Sequence, residues 1–258
     1  MKRSRKHTAR RFIFRLLEGD RQLELSVPFF SSLRSHGVDM EIVPIESFAV
    51  AVDVPFLSPL GFQQARLEEF AARICDREKG LSLRPDQIRL RRTDELYNYE
   101  LSAQFFGENG SLTRTPLGVH LAIRNGRTAA DWKVMEETLK RFYLLMEFDP
   151  KTVTTFAGHV HASFPSLEER DQYLGSFAHN PMINRPAALG YVQIAGWEKE
   201  VRVLIEPSNQ FPNSVFVGWD THFSNAQQWD VFPGTLPMMM EDSANLFSLG
   251  FEPFRLTV

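Results

Sequence analysis

Two segments of this chain repeat each other. Residues 47–58 (SFAVAVDVPFLS) lie over 155–166 (TFAGHVHASFPS) without a gap, and Phe48/Phe156, Ala49/Ala157, Val52/Val160, Phe56/Phe164 and Ser58/Ser166 are identical. Apolar residues recur at every second position, the period of a strand with one buried face. In the first segment Phe48, Val50, Val52, Val54 and Phe56 take that face, and Ala49, Ala51 and Asp53 take the other. In the second, Phe156, Gly158, Val160, Ala162 and Phe164 match. A repeat of this kind constrains the fold strongly, because both copies must find comparable surroundings.

The order of elements after each copy is also alike. Past Ser58-Pro59 a helix is expected to about Lys79, with Leu67, Phe70, Ala71 and Ile74 as its apolar stripe and Gly80 as its stop. Strands are expected at Ile88–Arg92, Tyr97–Phe105 and Leu117–Arg124, with a turn at Gly107-Glu108-Asn109-Gly110 and a break at Asn125-Gly126. Thr128 and Asp131 have capping-box spacing ahead of a helix carrying Trp132, Met135, Leu139, Phe142 and Met146, three and four apart. In the second half, Ser166 and Glu169 open a helix with Leu167, Leu174 and Phe177. Strands follow near Leu189–Ala195, Glu200–Glu206 and Ser214–Trp219. A last helix is expected around Leu236–Leu249, with Thr235 as its cap, Pro237 in its first turn, and Gly250 and Pro253 at its end.

These patterns predict an α+β fold. Internally duplicated β-α-β-β-β-α units, residues 47–150 and 151–258, would merge into one curved antiparallel sheet with helices on one face. Two separate α+β lobes are the alternative. Residues 12–46 read as a hairpin turning at Glu18-Gly19-Asp20-Arg21 and a connector, and residues 1–11 as a flexible arm.

Charge is unevenly placed. Lys2, Arg3, Arg5, Lys6, Arg10 and Arg11 stand in the first eleven residues without an acid, while the rest of the chain holds 23 basic against 32 acidic residues. A basic arm on an acidic body suits nucleic acid, an acidic partner, or the body itself. Arg10-Arg11 precedes no apolar region or small-residue cleavage site, so no signal peptide is expected. No apolar run reaches the roughly 18 residues of a membrane helix. The single cysteine, Cys75, excludes an internal disulfide. A cytoplasmic protein without a membrane partner is the expectation.

Phosphate loops, dinucleotide fingerprints, nucleophile elbows, HExxH and zinc-finger spacings are missing. His159-Val160-His161 is the sharpest constellation: on a strand both imidazoles share one face, as two ligands of one metal would. Asp220 and His222 repeat that spacing, so the four would offer a His/His/Asp/His set for Zn²⁺, Mn²⁺ or Fe²⁺. No resident cofactor is otherwise expected. The mixed strand faces, with Glu100, Gln104, His120, Arg124, His159, His161, Gln193, Arg202, Glu206 and Asp220, would line an open surface. His120, Arg124, His159, His161, Arg202 and Asp220 are its candidate ligand-binding residues. The leading expectation is a non-catalytic binding or regulatory protein within a larger bacterial-type assembly, with a protein as partner. The alternatives are a nucleic-acid binder using the basic arm and a metal-dependent enzyme centred on His159 and His161.

Overall fold

The computed structural model describes residues 14–18, 21–25, 41–146, 152–178, 185–193, 200–223 and 232–252. In chain order its elements are β1 (Phe14–Glu18), β2 (Arg21–Leu25), β3 (Glu41–Val43), β4 (Ile45–Pro55), α1 (Gln64–Cys75), β5 (Ile88–Arg92), β6 (Tyr99–Phe105), β7 (Gly110–Arg114), β8 (Gly118–Gly126), α2 (Ala129–Leu145), β9 (Thr154–Ser163), α3 (Leu167–Gly175), β10 (Ala188–Val192), β11 (Val201–Pro207), β12 (Ser214–Phe223), α4 (Phe232–Asn245) and β13 (Leu249–Phe251). A 3-10 turn, Pro85–Gln87, leads into β5.

Nine strands form one antiparallel sheet in the order β10-β11-β12-β9-β4-β8-β7-β6-β5. The two repeated segments, β4 and β9, pair with each other at its centre, with Val52 opposite Phe156 and Phe48 opposite Val160. β1 and β2 make the expected hairpin. β3 pairs in parallel with β13, a contact the sequence pattern does not announce.

Register gathers most of the large apolar strand residues on one face. Val52 lies beside Leu121, Leu121 beside Leu112, and Leu112 beside Ala103; on the other side Val160 lies beside Val217 and Val217 beside Ile205. The helices bury their stripes on this face: Leu67, Phe70 and Ile74 from α1, Trp132, Met135, Leu139 and Phe142 from α2, Met239, Met240 and Ala244 from α4. The Phe48 and Trp132 rings meet edge to face at 4.9 Å, which locks β4 to α2. Tyr173 and Leu174 are the buried residues of α3, and Tyr173 stacks against Phe164 just past β9.

Local chemistry sets the ends. The Thr128–Asp131 capping box is present: Thr128 Oγ1 accepts the Asp131 N–H at 3.1 Å, and Asp131 accepts the Thr128 N–H at 2.9 Å. The Asp131 carboxyl also accepts the Arg127 N–H and the Thr128 hydroxyl, and these bonds, the Arg127 one foremost, hold it below its ordinary range. Helix α1 is shorter than expected. Asp76 stops it at Cys75 by accepting the N–H groups of Glu78 and Lys79, both at 2.8 Å, in place of further helical bonds.

Several expectations need correction. The first half contains a strand that the sequence pattern does not announce, β7, so its order is β-α-β-β-β-β-α. Phe106, Gly107 and Glu108 have positive φ and reverse the chain tightly into Gly110–Arg114, a short strand with Leu112 as its one large apolar residue. Tyr97, Leu117 and Leu167 are exposed, since each falls in a turn or a first helical turn outside the buried stripe. The last helix runs over Phe232–Asn245, and Leu249 and Gly250 belong to β13. Asn125-Gly126 continues β8 through a bulge: Gly126 pairs with Phe48 while Ile123 pairs with Val50, and Asn125 takes φ 56°. The Phe48 ring fills the space that a Cβ on Gly126 would need.

A buried polar link joins sheet to helix. Trp219 Nε1 donates to Ser243 Oγ at 2.6 Å, and Ser243 Oγ reaches the Met239 carbonyl at 2.7 Å, with both residues buried. Ser243→Ala leaves the indole N–H unsatisfied and should cost about 1–3 kcal/mol. Adding Trp219→Phe removes that orphaned donor, so the double variant should be less destabilised than the two single losses sum to. Denaturant melts of the four proteins check this, and strict additivity would count against it.

Candidate functional site on the open sheet face

The second sheet face faces away from the helix stripes, and cross-strand register arranges its side chains in rows. One row runs His222 (β12), Thr155 (β9), Asp53 (β4), His120 (β8), Thr113 (β7), Ser102 (β6) and Arg89 (β5). His120 Nδ1 lies 2.6 Å from Asp53 Oδ1, and His222 Nδ1 lies 3.2 Å from Thr155 Oγ1. The next row runs Tyr191, Arg202, Asp220, Ala157, Ala51, Ala122, Ser111 and Gln104. Its charged pair, Arg202 Nη2 with Asp220 Oδ2, closes at 2.7 Å. Between the rows' polar groups the sheet is floored by small residues: Ala51, Ala122 and Ala157, with Ala49 and Gly218 one step further along. The result is a low centre ringed by donors and acceptors of both signs.

His159 rises between Ala49 and Gly218 at the edge of this floor, and His161 stands two residues further along β9, in an aromatic cluster. Their rings are 5.4 Å apart, edge to face; Phe216 packs 5.1 Å from His159, and Phe211 packs 5.3 Å from His161. Ser208 Oγ accepts the backbone N–H groups of Gln210 and Phe211 at 3.1 and 3.0 Å. Its own proton is thereby directed to His161 Nδ1, 2.9 Å away. An imidazole that accepts at Nδ1 carries its proton on Nε2 and is neutral. Burial lowers the pKa of both histidines from 6.5, and the neighbouring imidazole lowers that of His159 further.

The residues singled out from sequence therefore fall into separate places. His159 and His161 come together, as do Arg202 and Asp220. The four suggested metal ligands do not converge: Asp220 is opposite Ala157 and His222 opposite Thr155, so they stand two and four residues beyond Gly218, the partner of His159. Those steps correspond to about 7 and 13 Å along a strand, while a Zn²⁺ ligand reaches only about 2 Å. Among the described residues no group of three or more His, Cys, Asp or Glu side chains is placed to hold a metal ion. His120 lies in the polar row, and Arg124 is exposed at the β8 bulge. Gln193 lies just beyond β10, and Glu206 faces Phe216. Lys2, Arg3, Arg5, Lys6, Arg10 and Arg11 lie outside the described residues, as does most of the connector. Asp53 was visible as the lone acid of an apolar strand, but its pairing with His120 comes from the β4–β8 register. Ser208, Phe211 and Phe216 gave no separate signal. Cys75 is half-buried at the end of α1, and burial pushes its thiol pKa up, away from the reactive thiolate.

No protein family matches the chain, and no curated protein matches it. Among solved structures, a rolling circle replication initiator protein from Geobacillus stearothermophilus aligns over 73% of this chain and 79% of that chain, at 10% identity and a TM-score of 0.30. A likeness that slight carries no statement about this protein. No described helix is long and apolar enough to cross a membrane.

The histidine cluster makes stability depend on pH with a definite sign. Folding lowers the pKa of both imidazoles, while the unfolded chain takes up protons near pH 6.5. The unfolded state thus binds more protons, so this contribution is full above about pH 6.5 and falls as the pH drops toward the lowered values. The melting temperature should decline between about pH 7 and pH 5, and a His159→Gln/His161→Gln double variant should show a shallower decline. Identical slopes in the two proteins would refute the assignment.

Proposed function

We propose that the protein is a non-catalytic binding or regulatory component of a larger bacterial-type assembly in the cytoplasm, and that its open sheet face receives a segment of a protein partner. The observation that carries this reading is the pair of registered rows around an alanine floor. Asp53, His120, Thr155, Arg202 and Asp220 supply donors and acceptors of both signs over several strands. A segment of mixed charge with free backbone groups matches such a surface. A phosphate backbone does not, because Asp53 and Asp220 stand among the cations. Openness to water also suits recognition through many modest hydrogen bonds.

The two halves are further read as copies of one ancestral unit. In support, the repeated segments are adjacent central strands, and the last strand of each half, β8 and β12, flanks its own copy on the outer side. β7 and β11, then β6 and β10, continue outward in the same sense, leaving β5 as the extra strand of the first half.

A photo-activated cross-linker placed at Ala157, exposed on the floor, tests the reading in the native source. It should capture one stoichiometric protein, whereas the same group at Val134, exposed on α2, should not. Asp53→Arg combined with Asp220→Arg should abolish the capture. Equal yields at both positions, or no capture from the sheet face, would remove this function.

A further inference from the structure

The two edges of the nine-stranded sheet differ. β10 has β1 beside it, while β5 has no described strand paired to its outer side. β5, the strands next to it and the loops between them fall within the continuously described stretch 41–146.

The β5–β6 hairpin fixes which way the edge backbone points. Thr93 N–H donates to the Asn98 carbonyl at 3.0 Å, and bonded and unbonded pairs alternate along an antiparallel ladder. Arg91↔Glu100 and Arg89↔Ser102 are therefore bonded pairs, and Ile88, Leu90 and Arg92 turn their N–H and C=O groups outward. The Ile88 N–H returns to the Pro85 carbonyl in the 3-10 turn. The outward groups of Leu90 and Arg92 find no backbone partner among the described residues. Such a row is a template for one more strand.

Side chains define the strand that would fit. Arg89 and Arg91 rise on the open face, over a hollow of about 480 Å³ that they share with Arg84, Glu100, Ser102 and Thr113. Arg84 is held by Asp86 at 3.3 Å. Arg89 faces Ser102 and Arg91 faces Glu100 across the ladder, and neither arginine has an ion pair among the described residues. Asp94 and Glu95 lie at the hairpin tip, beyond Arg92. On the helix side Leu90 is 47% exposed, and the Arg92 guanidinium carbon lies 4.8 Å from the Phe62 ring centroid. A second copy of the chain does not suit this edge. Two β5 strands meeting antiparallel at Leu90 would set Arg89 against Arg91 twice, and like charges directly opposite repel.

We propose that β5 takes up an extended acidic segment of a protein partner as an added strand, with carboxylates opposite Arg89 and Arg91 and an apolar residue between them opposite Leu90. The backbone bonds supply affinity, and the two guanidinium groups select the sequence. This edge is distinct from the alanine floor, and the inference does not rest on the reading of that face.

Amide hydrogen exchange and fluorescence anisotropy on the full chain test this, with acetyl-Thr-Glu-Val-Glu-Val-Thr-amide as the probe. The Leu90 and Arg92 amides should exchange rapidly in the free protein and slow on adding the probe, while the Arg91 amide, bonded to β6, should be slow throughout. Replacing both glutamates by glutamine, or N-methylating the valine between them, should weaken binding about tenfold. Arg89→Glu combined with Arg91→Glu should lose the probe and accept its lysine counterpart, acetyl-Thr-Lys-Val-Lys-Val-Thr-amide. Leu90→Pro, tolerable where the N–H faces outward, should lose the probe with the β6 ladder intact. Equal affinity for the glutamate and glutamine peptides, or slow Leu90 and Arg92 amides in the free chain, would overturn the proposal. So would a lack of protection up to about 1 mM probe, which would leave Arg89 and Arg91 as guards against edge pairing only. Binding of a single-stranded oligonucleotide through the two arginines, without protection of the Leu90 amide, would assign them to a phosphate backbone and reject the added strand. Cross-linking at Ala157 reads a different surface, so either result can fail alone.

Discussion

The β4–β9 pairing is the join on which the rest of the sheet depends. Every other pair in the nine-stranded sheet links strands from the same half of the chain. Along this seam eight residue pairs from Ile45↔Ala162 to Asp53↔Thr155 keep register, with one shift near Ser47. A slip of one residue would turn Phe48, Val50, Val52, Phe156 and Val160 from the helix side to water, so burial itself enforces the register. The same register decides what appears on the open side. It sets Asp53 beside Thr155 and, through β8, beside His120.

How much of this was legible in the sequence follows from how local each cause is. The Thr128–Asp131 cap and the Trp132–Phe142 stripe were plain, because both rest on residues within a few helical turns. The alternation in β4, β6 and β9 was plain for the same reason. β7 was hidden by its brevity and its polar residues, and the Phe106–Glu108 turn that creates it depends on positive φ at non-glycine positions. β3 and β13 are three residues each and find one another across nearly the whole chain. No periodicity within either segment reports such a partner.

The site divides in the same way. His159 and His161 share a face because strands alternate, so their proximity could be read directly. Their surroundings could not. Ser208 reaches His161 from the loop after β11, and Phe211 and Phe216 arrive from that loop and from β12. Those neighbours leave His161 buried and His159 half-buried in one aromatic-flanked unit with lowered pKa values. The open edge of β5 was also out of sight, since the Ile88–Arg92 pattern marks a strand without saying that one side of it goes unpaired.

The short parallel pair β3–β13 has a mechanical meaning. Glu41 meets Leu249 and Val43 meets Phe251, so the chain enters this ladder at one end and leaves it at the other. Tension drawn outward from the two flanking segments would therefore slide the strands past each other and load all three residue pairs together, where a hairpin would unzip rung by rung. The elements from β4 to α4 sit inside the loop that this clasp closes, and are shielded from such a force until it yields.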